Sequence, residues 1–230
     1  MIFLFRPIKN AALATLLLAF PLIAGCAGQG ATAPSSTASP ATAYTELGFA
    51  YLQRDDAGRA QQAFERAADL DPDDPGALHG LALIHQRQGE SEIAERYFQR
   101  ALGAGDGATR VRNNYAAFLF DQGRIAPACE QLDIASRDLR YERRAQLFAN
   151  LGQCRHRLGE QQAAIEALER AVQLDPRQAR AWRELTEIRI QRQQPESART
   201  ALRRYVRLVG ESDESRRLAR SLDALERRPR

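Results

Sequence analysis

The side chains best suited to chemistry in this 230-residue sequence are three cysteines and three histidines. Cys154 and His156 are close in the chain, but a zinc site needs further ligands, and neither His79 nor His85 has a spaced cysteine or carboxylate partner. The sequence also contains no glycine-rich phosphate loop, no G-x-S-x-G turn and no H-E-x-x-H motif. We therefore predict no cofactor, no metal, no small-molecule substrate and no enzymatic activity.

A second cysteine, Cys26, follows an apolar run. Arg6 and Lys9 precede the run from Ala11 to Ile23, which is the layout of a secretory signal and is too short to favour a membrane span. The run ends in L-I-A-G-C and resembles the bacterial lipobox, in which a cysteine after small residues receives a diacylglyceryl group. We expect a signal peptide over 1–25 and acylation of Cys26. An ordinary signal peptide with a chance cysteine is the alternative.

The segment after the acylation site is poor in large apolar residues. Residues 26–40 are rich in Ala, Thr, Ser, Pro and Gly, which predicts a flexible tether. Ala27 rather than Asp after the cysteine indicates sorting to the outer membrane, with the folded part facing the periplasm. The lipid partner would then be the outer membrane, reached through acylated Cys26.

The charge of the chain does not indicate a nucleic-acid partner. The formal net charge is +4, and removal of Arg6 and Lys9 with the signal leaves +2. Arginines alternate with acids along the sequence, without a basic stripe interleaved with aromatic residues.

Most of the chain is a repeat. Alanines recur at intervals of 34, 34, 36 and 34 residues: Ala60, Ala94, Ala128, Ala164 and Ala198. The first copy also supplies Tyr44, Leu47, Gly48, Tyr51, Phe64, Ala67 and Pro72, a pattern that resembles the tetratricopeptide repeat. We predict an all-α superhelix of helix-turn-helix pairs, with repeats at 41–74, 75–108, 109–142, 145–178 and 179–212. Residues 143–144 are an insertion, and 213–230 form a capping helix and tail.

Small residues recur where two antiparallel helices must approach closely: Gly48, Ala82, Ala116 and Gly152. Leu47 and Phe64 are expected to fill this helix contact. The fifth copy departs from the pattern at Thr186, Arg189 and Tyr205, where we expect the superhelix to bend or pack differently.

Two cysteines fall on consecutive helices of the predicted array. Cys129 lies on the second helix of repeat three and Cys154 on the first helix of repeat four. A disulfide between them is plausible in an oxidising compartment. The alternative is two independently buried thiols.

Several stretches resemble the type IV pilus biogenesis/stability lipoprotein family, the PilF/PilW pilotins. Residues 113–120 (N-N-Y-A-A-F-L-F) resemble that family's N-N-Y-G-x-F-L-C, and residues 141–145 and 150–154 resemble its Y-P-E-R-A and N-x-G-x-C. Residues 81–90 resemble its L-A-L-L-Y-Q-x-x-G-E. The chain departs from the family in having Phe120 in place of Cys and Ala116 in place of Gly, and in having no proline between Tyr141 and Glu142.

The resemblance implies an outer-membrane lipoprotein that binds type IV pilus secretin subunits. Such a pilotin promotes secretin localisation or multimerisation, and so supports pilus biogenesis and twitching motility. The rival interpretation is a periplasmic repeat lipoprotein that scaffolds envelope proteases or peptidoglycan enzymes. A repeat lipoprotein of a tight-adherence system is a third.

The first helix of each pair is expected to line a concave groove. In repeat one its groove positions include Thr45, Phe49 and Leu52, and the apolar pair suggests a docking patch for an apolar strand or helix. The alternative is that the tether or a neighbouring repeat covers them. Asn113 and Asn114 have amides able to bind an extended backbone, or alternatively to cap or bridge adjacent helices.

Overall fold

The protein is an array of paired helices. The computed structural model describes residues 39–105 and 108–227, and the predicted signal peptide, Cys26, most of the tether and the last three residues of the tail lie outside these ranges. The described residues form eleven helices: α1 (Pro40–Gln53), α2 (Ala57–Leu70), α3 (Pro75–Gln88), α4 (Ser91–Gly103), α5 (Ala108–Asp121), α6 (Ile125–Ser136), α7 (Arg144–Arg157), α8 (Gln161–Leu174), α9 (Ala179–Gln191), α10 (Pro195–Val209) and α11 (Asp213–Glu226). The predicted all-α repeat superhelix is confirmed.

Each predicted repeat holds one helix pair, except that α1, α5 and α7 begin one residue before the predicted starts at 41, 109 and 145. Local sequence signals set the helix ends. Asp74 caps α3 by accepting a hydrogen bond from the amide of Ala77 at 2.6 Å, and Pro75 occupies the first turn. Gly89 ends the same helix with a φ of 78°, a conformation that glycine adopts without a steric penalty.

The connections between repeats keep the array in phase. The segments 71–74, 104–107 and 175–178 are equally short, whereas the connection between α6 and α7 runs over 137–143. The predicted insertion is therefore absorbed mainly by this longer loop. As a result α7 still packs on α6, with Cys129 bonded to Cys154 and their Cα atoms 5.6 Å apart.

The packing of the first two repeats depends on the absence of two side chains. The Phe64 ring lies against Gly48 and Gly80, and a Cβ added to Gly48 would lie 2.5 Å from Cε1 of Phe64. A Cβ at Gly80 would also overlap the ring. The small-residue positions therefore serve helix packing, because a phenyl ring fills the space between two helices at these glycines.

One packing expectation is wrong at the N-terminal end. Leu47 was expected to fill a helix contact, but it is 42% exposed, whereas its equivalents Leu81 and Leu151 are each 2% exposed. Leu81 packs in a cluster with Ala60 and Phe64 of the preceding pair. No helix precedes α1 within the described part of the chain, so Leu47 has no such cover.

The C-terminal end is capped by α11. Leu218 and Leu222 pack with Leu202 and Tyr205 of α10, and Ser212 begins the helix with a reciprocal capping box to Ser215. In the fifth repeat Thr186 is fully buried, and its hydroxyl donates to the Trp182 carbonyl at 2.8 Å. The buried hydroxyl that Thr186 brings to this position is thus hydrogen-bonded within α9.

None of the described helices is long and apolar enough to cross a membrane.

Candidate partner-binding groove

The first helices of repeats one to three share one surface, which we call the N-terminal groove. It holds a cavity of about 600 Å³ whose lining comes from α1, α3, α5, the connection between α6 and α7, and the start of α7. A second cavity of about 480 Å³ adjoins it. Both cavities are lined by Phe49, His79, Arg110, Tyr141 and Arg143.

Phe49 and Leu52 lie where the sequence placed them, on the groove surface. Both are half-buried and line the larger cavity. The Phe49 ring packs edge-on against Phe64 with centroids 5.0 Å apart, and it lies 5.7 Å from the His79 ring. These contacts hold the phenyl ring in place, so the groove has a fixed apolar element.

Thr45 is not part of the groove surface, and this partner-binding prediction needs correction. Its side chain is buried, and its hydroxyl donates to Oδ1 of Asp74 at 3.1 Å. Its methyl group also lies where a Cβ on Gly76 would be. Thr45 therefore joins α1 to the start of α3, and that contact leaves it no face for a partner.

Asn113 and Asn114 bridge neighbouring helices. The buried Asn113 accepts a hydrogen bond on Oδ1 from Nδ2 of Asn150 at 3.0 Å, and Asn114 pairs through Nδ2 with Nε2 of His79 at 2.8 Å. Arg180 then donates to Oδ1 of Asn150 at 3.0 Å. Both asparagines line the larger cavity. Their main interactions are nonetheless the bridging ones, which is the alternative that the sequence left open.

His79 was not predicted to have any role, yet it lies at the centre of the groove. Burial, together with the positive charge of Arg110, lowers the pKa of His79 to about 4. The ring is therefore neutral at neutral pH. With Nδ2 of Asn114 as the donor, Nε2 accepts the hydrogen bond and the ring proton resides on Nδ1.

The sequence also did not single out Arg110, Tyr141 and Arg143 as site residues. Burial raises the pKa of Tyr141, while the charges of Arg143 and Arg110 act against that rise. Tyr141 and Arg143 belong to the lengthened connection between α6 and α7, so the insertion builds one wall of the groove. The available signal was the spacing, since Arg110 and Arg143 are about one repeat apart and neighbouring repeats stack.

The corresponding surface of the last repeats is different. Arg183 of α9 pairs with Glu184, Glu187 and Glu214, and Arg217 of α11 pairs with Glu214 at 2.8 Å. The hydrogen bond and charge of Arg217 hold the pKa of Glu214 below its usual value. At this end of the surface, these arginines and glutamates are therefore paired with one another. Within residues 39–105 and 108–227, no three His, Cys, Asp or Glu side chains converge as a metal site would require.

Comparison with known proteins gives the same fold. Two tetratricopeptide repeat models match the chain, one at residues 45–109, 79–140 and 119–179 and the other at residues 157–222. A curated relative is the type IV pilus assembly protein PilF of Pseudomonas aeruginosa, which is 32% identical over 146 residues. That match covers 64% of this chain but only 58% of PilF. An uncharacterized Haemophilus influenzae protein is 27% identical over 72% of this chain and 93% of its own length.

Solved structures extend the similarity. The structure of Pseudomonas aeruginosa PilF matches with a TM-score of 0.76 at 28% identity, over 81% of this chain and 85% of the other. PilW, described as a widely conserved type IV pilus biogenesis factor, matches with a TM-score of 0.69 at 23% identity, over 81% and 90% of the two chains, and so shows the shared fold. The chain belongs to the tetratricopeptide repeat family and is homologous to the type IV pilus assembly protein PilF.

Proposed function

We propose that this protein is an outer-membrane lipoprotein of the pilotin type, which binds subunits of the type IV pilus secretin and promotes their localisation or multimerisation. The observation that carries the proposal is the N-terminal groove, where Phe49 and Leu52 present fixed apolar surface to a cavity large enough for a peptide segment. Homology to PilF supplies the pilus context.

The mechanism needs only binding and placement. Acyl chains on Cys26 anchor the protein to the inner leaflet of the outer membrane, and the tether lets the repeats reach a partner in the periplasm. A secretin segment held in the groove is then confined near the membrane, which raises its effective concentration for assembly. Tetratricopeptide repeats are protein-interaction scaffolds, and this role requires no reaction.

The groove is tested by replacing Phe49 and Leu52 together with glutamine. We expect loss of secretin capture by the purified protein, because glutamine removes the apolar contact but is itself a good helix former. The matched control replaces Tyr44 and Leu47, which lie on the same helix and are exposed outside the two cavities. Circular dichroism and the urea midpoint show that each variant is folded. Normal capture by a folded groove variant would contradict the proposed site.

The anchor and the cellular role need separate tests. Cys26→Ala should leave the protein unacylated and absent from the outer-membrane fraction, whereas normal fractionation would refute acylation. In a deletion strain, heat-resistant secretin multimers should be lost or mislocalised, and twitching motility should fall. Normal multimers and motility would contradict the pilotin function and direct attention to envelope enzymes as partners.

A further inference from the structure

The smaller cavity of the N-terminal groove is lined by arginines that lack carboxylate partners. Arg110 extends from α5, while Arg140 and Arg143 come from the connection between α6 and α7. Among the described residues, no carboxylate oxygen lies within 4.0 Å of any of these three guanidinium groups, although ion pairs are common elsewhere, as between Arg124 and Glu95. Three cations therefore face one cavity without pairing inside the fold.

Among the described residues, the acids near this cavity form no ion pair with the three arginines. Asp138 accepts hydrogen bonds from the Thr109 hydroxyl at 2.8 Å and from the Arg140 amide at 2.9 Å, and these bonds, together with the positive charge of Arg140, hold its pKa below the usual value. Asp138 is thus engaged in shaping the loop. Glu142 lines the same cavity and Glu46 lines the adjoining one, and neither forms an ion pair with the arginines.

The positive charge acts within the groove. Arg110 contributes to the lowered pKa of His79, and the charges of Arg110 and Arg143 both oppose the raised pKa of Tyr141. Both groups therefore lie in the field of the guanidinium charges. Phe49 and Tyr141 line the same cavity, which places aromatic surface beside the cations.

We propose that the N-terminal groove recognises a carboxylate-bearing segment of its protein partner, with acidic groups bound by Arg110, Arg140 and Arg143 and neighbouring apolar side chains packed on Phe49 and Tyr141. Guanidinium groups bind carboxylates through paired, charge-assisted hydrogen bonds, which favours this ligand over a neutral one. The proposal rests on the proposed function, because it specifies the chemistry of the segment that the same groove binds.

The C-terminal part of the array shows why this recognition is local. Arg183 and Arg217 are already paired with glutamates of α9 and α11. A carboxylate ligand there would have to displace a carboxylate of the protein. The three groove arginines form no ion pair among the described residues and line one cavity together with Phe49 and Tyr141, so this cavity is the part of the array that best fits an acidic segment with apolar neighbours.

The test measures fluorescence anisotropy of labelled peptides with the full acylated protein in detergent. The acidic probe is Phe-Glu-Leu-Asp-Leu-Glu amide, and the neutral probe is Phe-Gln-Leu-Asn-Leu-Gln amide. A third probe has the neutral sequence with a free terminal carboxylate, which separates a chain-end carboxylate from side-chain carboxylates. We expect the acidic probe to bind at least about tenfold more tightly than the neutral amide and to weaken as salt rises.

Variants identify the residues responsible. Arg110→Gln with Arg143→Gln should lower affinity for the acidic probe by about tenfold or more and leave the neutral probe unchanged. Arg96→Gln, at an exposed position on α4 outside the cavities, is the matched control and should change neither. Equal binding of acidic and neutral probes would overturn the proposal. So would displacement by glycerol phosphate at lower concentration than by glutarate, since the site would then prefer a phosphate.

Secretin capture distinguishes the two proposals. If the acidic probe binds through the arginines but the arginine variant captures secretin normally, the groove is a carboxylate site and the secretin assignment fails. If the Phe49 and Leu52 variant loses secretin while the probes show no charge preference, secretin binding stands and carboxylate recognition fails.

Discussion

The first and fourth repeats carry a leucine at one matching position but bury it differently. Leu47 and Leu151 occupy the same repeat position, yet Leu47 is 42% exposed and Leu151 is buried in the central cluster with Leu132 and Cys154. The fourth repeat has helix pairs on both sides, whereas the first has a described neighbour on one side only. In a stacked array, a consensus residue stabilises the fold only where a neighbour covers it.

This difference has a functional side. The first repeat keeps apolar surface that packing does not cover. Phe49 and Leu52 present it on the groove, and Tyr44 and Leu47 present it outside the groove. In the fourth repeat the equivalent of Leu47, Leu151, is buried, and the positions equivalent to Phe49 and Leu52 hold the polar residues Gln153 and His156. We therefore expect stability to be concentrated in the interior repeats and binding at the N-terminal end.

The largest contrast is expected between two matched truncations. Leu151→Ala should lower the free energy of unfolding by about 2–5 kcal/mol, because it removes buried methyl groups from the central cluster. Leu47→Ala should cost less than about 0.5 kcal/mol, since the side chain is already exposed and no described neighbour covers it. Urea denaturation of both variants measures the difference. Equal losses would show that a neighbour covers Leu47 in solution.

The disulfide adds to this comparison because it cross-links two interior repeats, the third and the fourth. Replacing Cys129 and Cys154 together with serine should lower the free energy of unfolding by about 2–4 kcal/mol, because the closed loop restricts the unfolded chain. Chemical denaturation with and without reductant checks this value. A wild-type protein insensitive to reductant, with no free thiol formed on reduction, would contradict the cross-link.

His79 provides a test by pH. Its pKa is about 4 in the fold against the ordinary histidine value of 6.5, so the unfolded chain takes up a proton in this range that the folded chain does not. Stability from this group is complete above pH 6.5 and is lost as pH falls towards 4, by an amount on the order of 3 kcal/mol. His79→Gln should flatten this part of the stability profile, whereas His85→Gln, at the partly exposed end of α3, is the control. Identical profiles for wild type and His79→Gln would refute the buried neutral ring.

The smallest contrast concerns two helix caps. Asp74 accepts from the Ala77 amide and from Thr45, while Ser39 at the N-terminal end accepts from the Thr42 amide. Asp74→Ala should cost about 2 kcal/mol, because it also leaves the Thr45 hydroxyl without its partner, and Ser39→Ala about 0.5 kcal/mol. Hydrogen exchange should show that the Ser39 effect is confined to the first turn of α1. A global loss from Ser39→Ala would mean that the end repeat unfolds together with the interior.

The sequence predicted the fold well because repeat signals are local. Proline after aspartate and glycine at helix ends place the boundaries within a residue or so, and recurrence fixes the phase. The predicted capping helix corresponds to α11, with Leu218 and Leu222 buried. Exposure of Leu47 was missed because the consensus describes an interior repeat, while the first copy has a described neighbour on one side only.

The groove was predicted only in part because its chemistry depends on neighbours in other repeats. Thr45 is removed from the surface by Asp74, and Asn113 is engaged by Asn150, which lies 37 residues away. A consensus position specifies a face of one helix but not the side chain that the next repeat brings to it. The arginines of the smaller cavity were missed because one comes from a helix and two come from an irregular connection.

The bond between Cys129 and Cys154 has a mechanical consequence. A chain pulled from its two ends lengthens as it unfolds, but residues between two bonded cysteines cannot add to its length. The separation of 25 positions removes about 80–90 Å of extensible chain. Pulling the protein from its ends should therefore give a contour length that increases by about this amount when the disulfide is reduced.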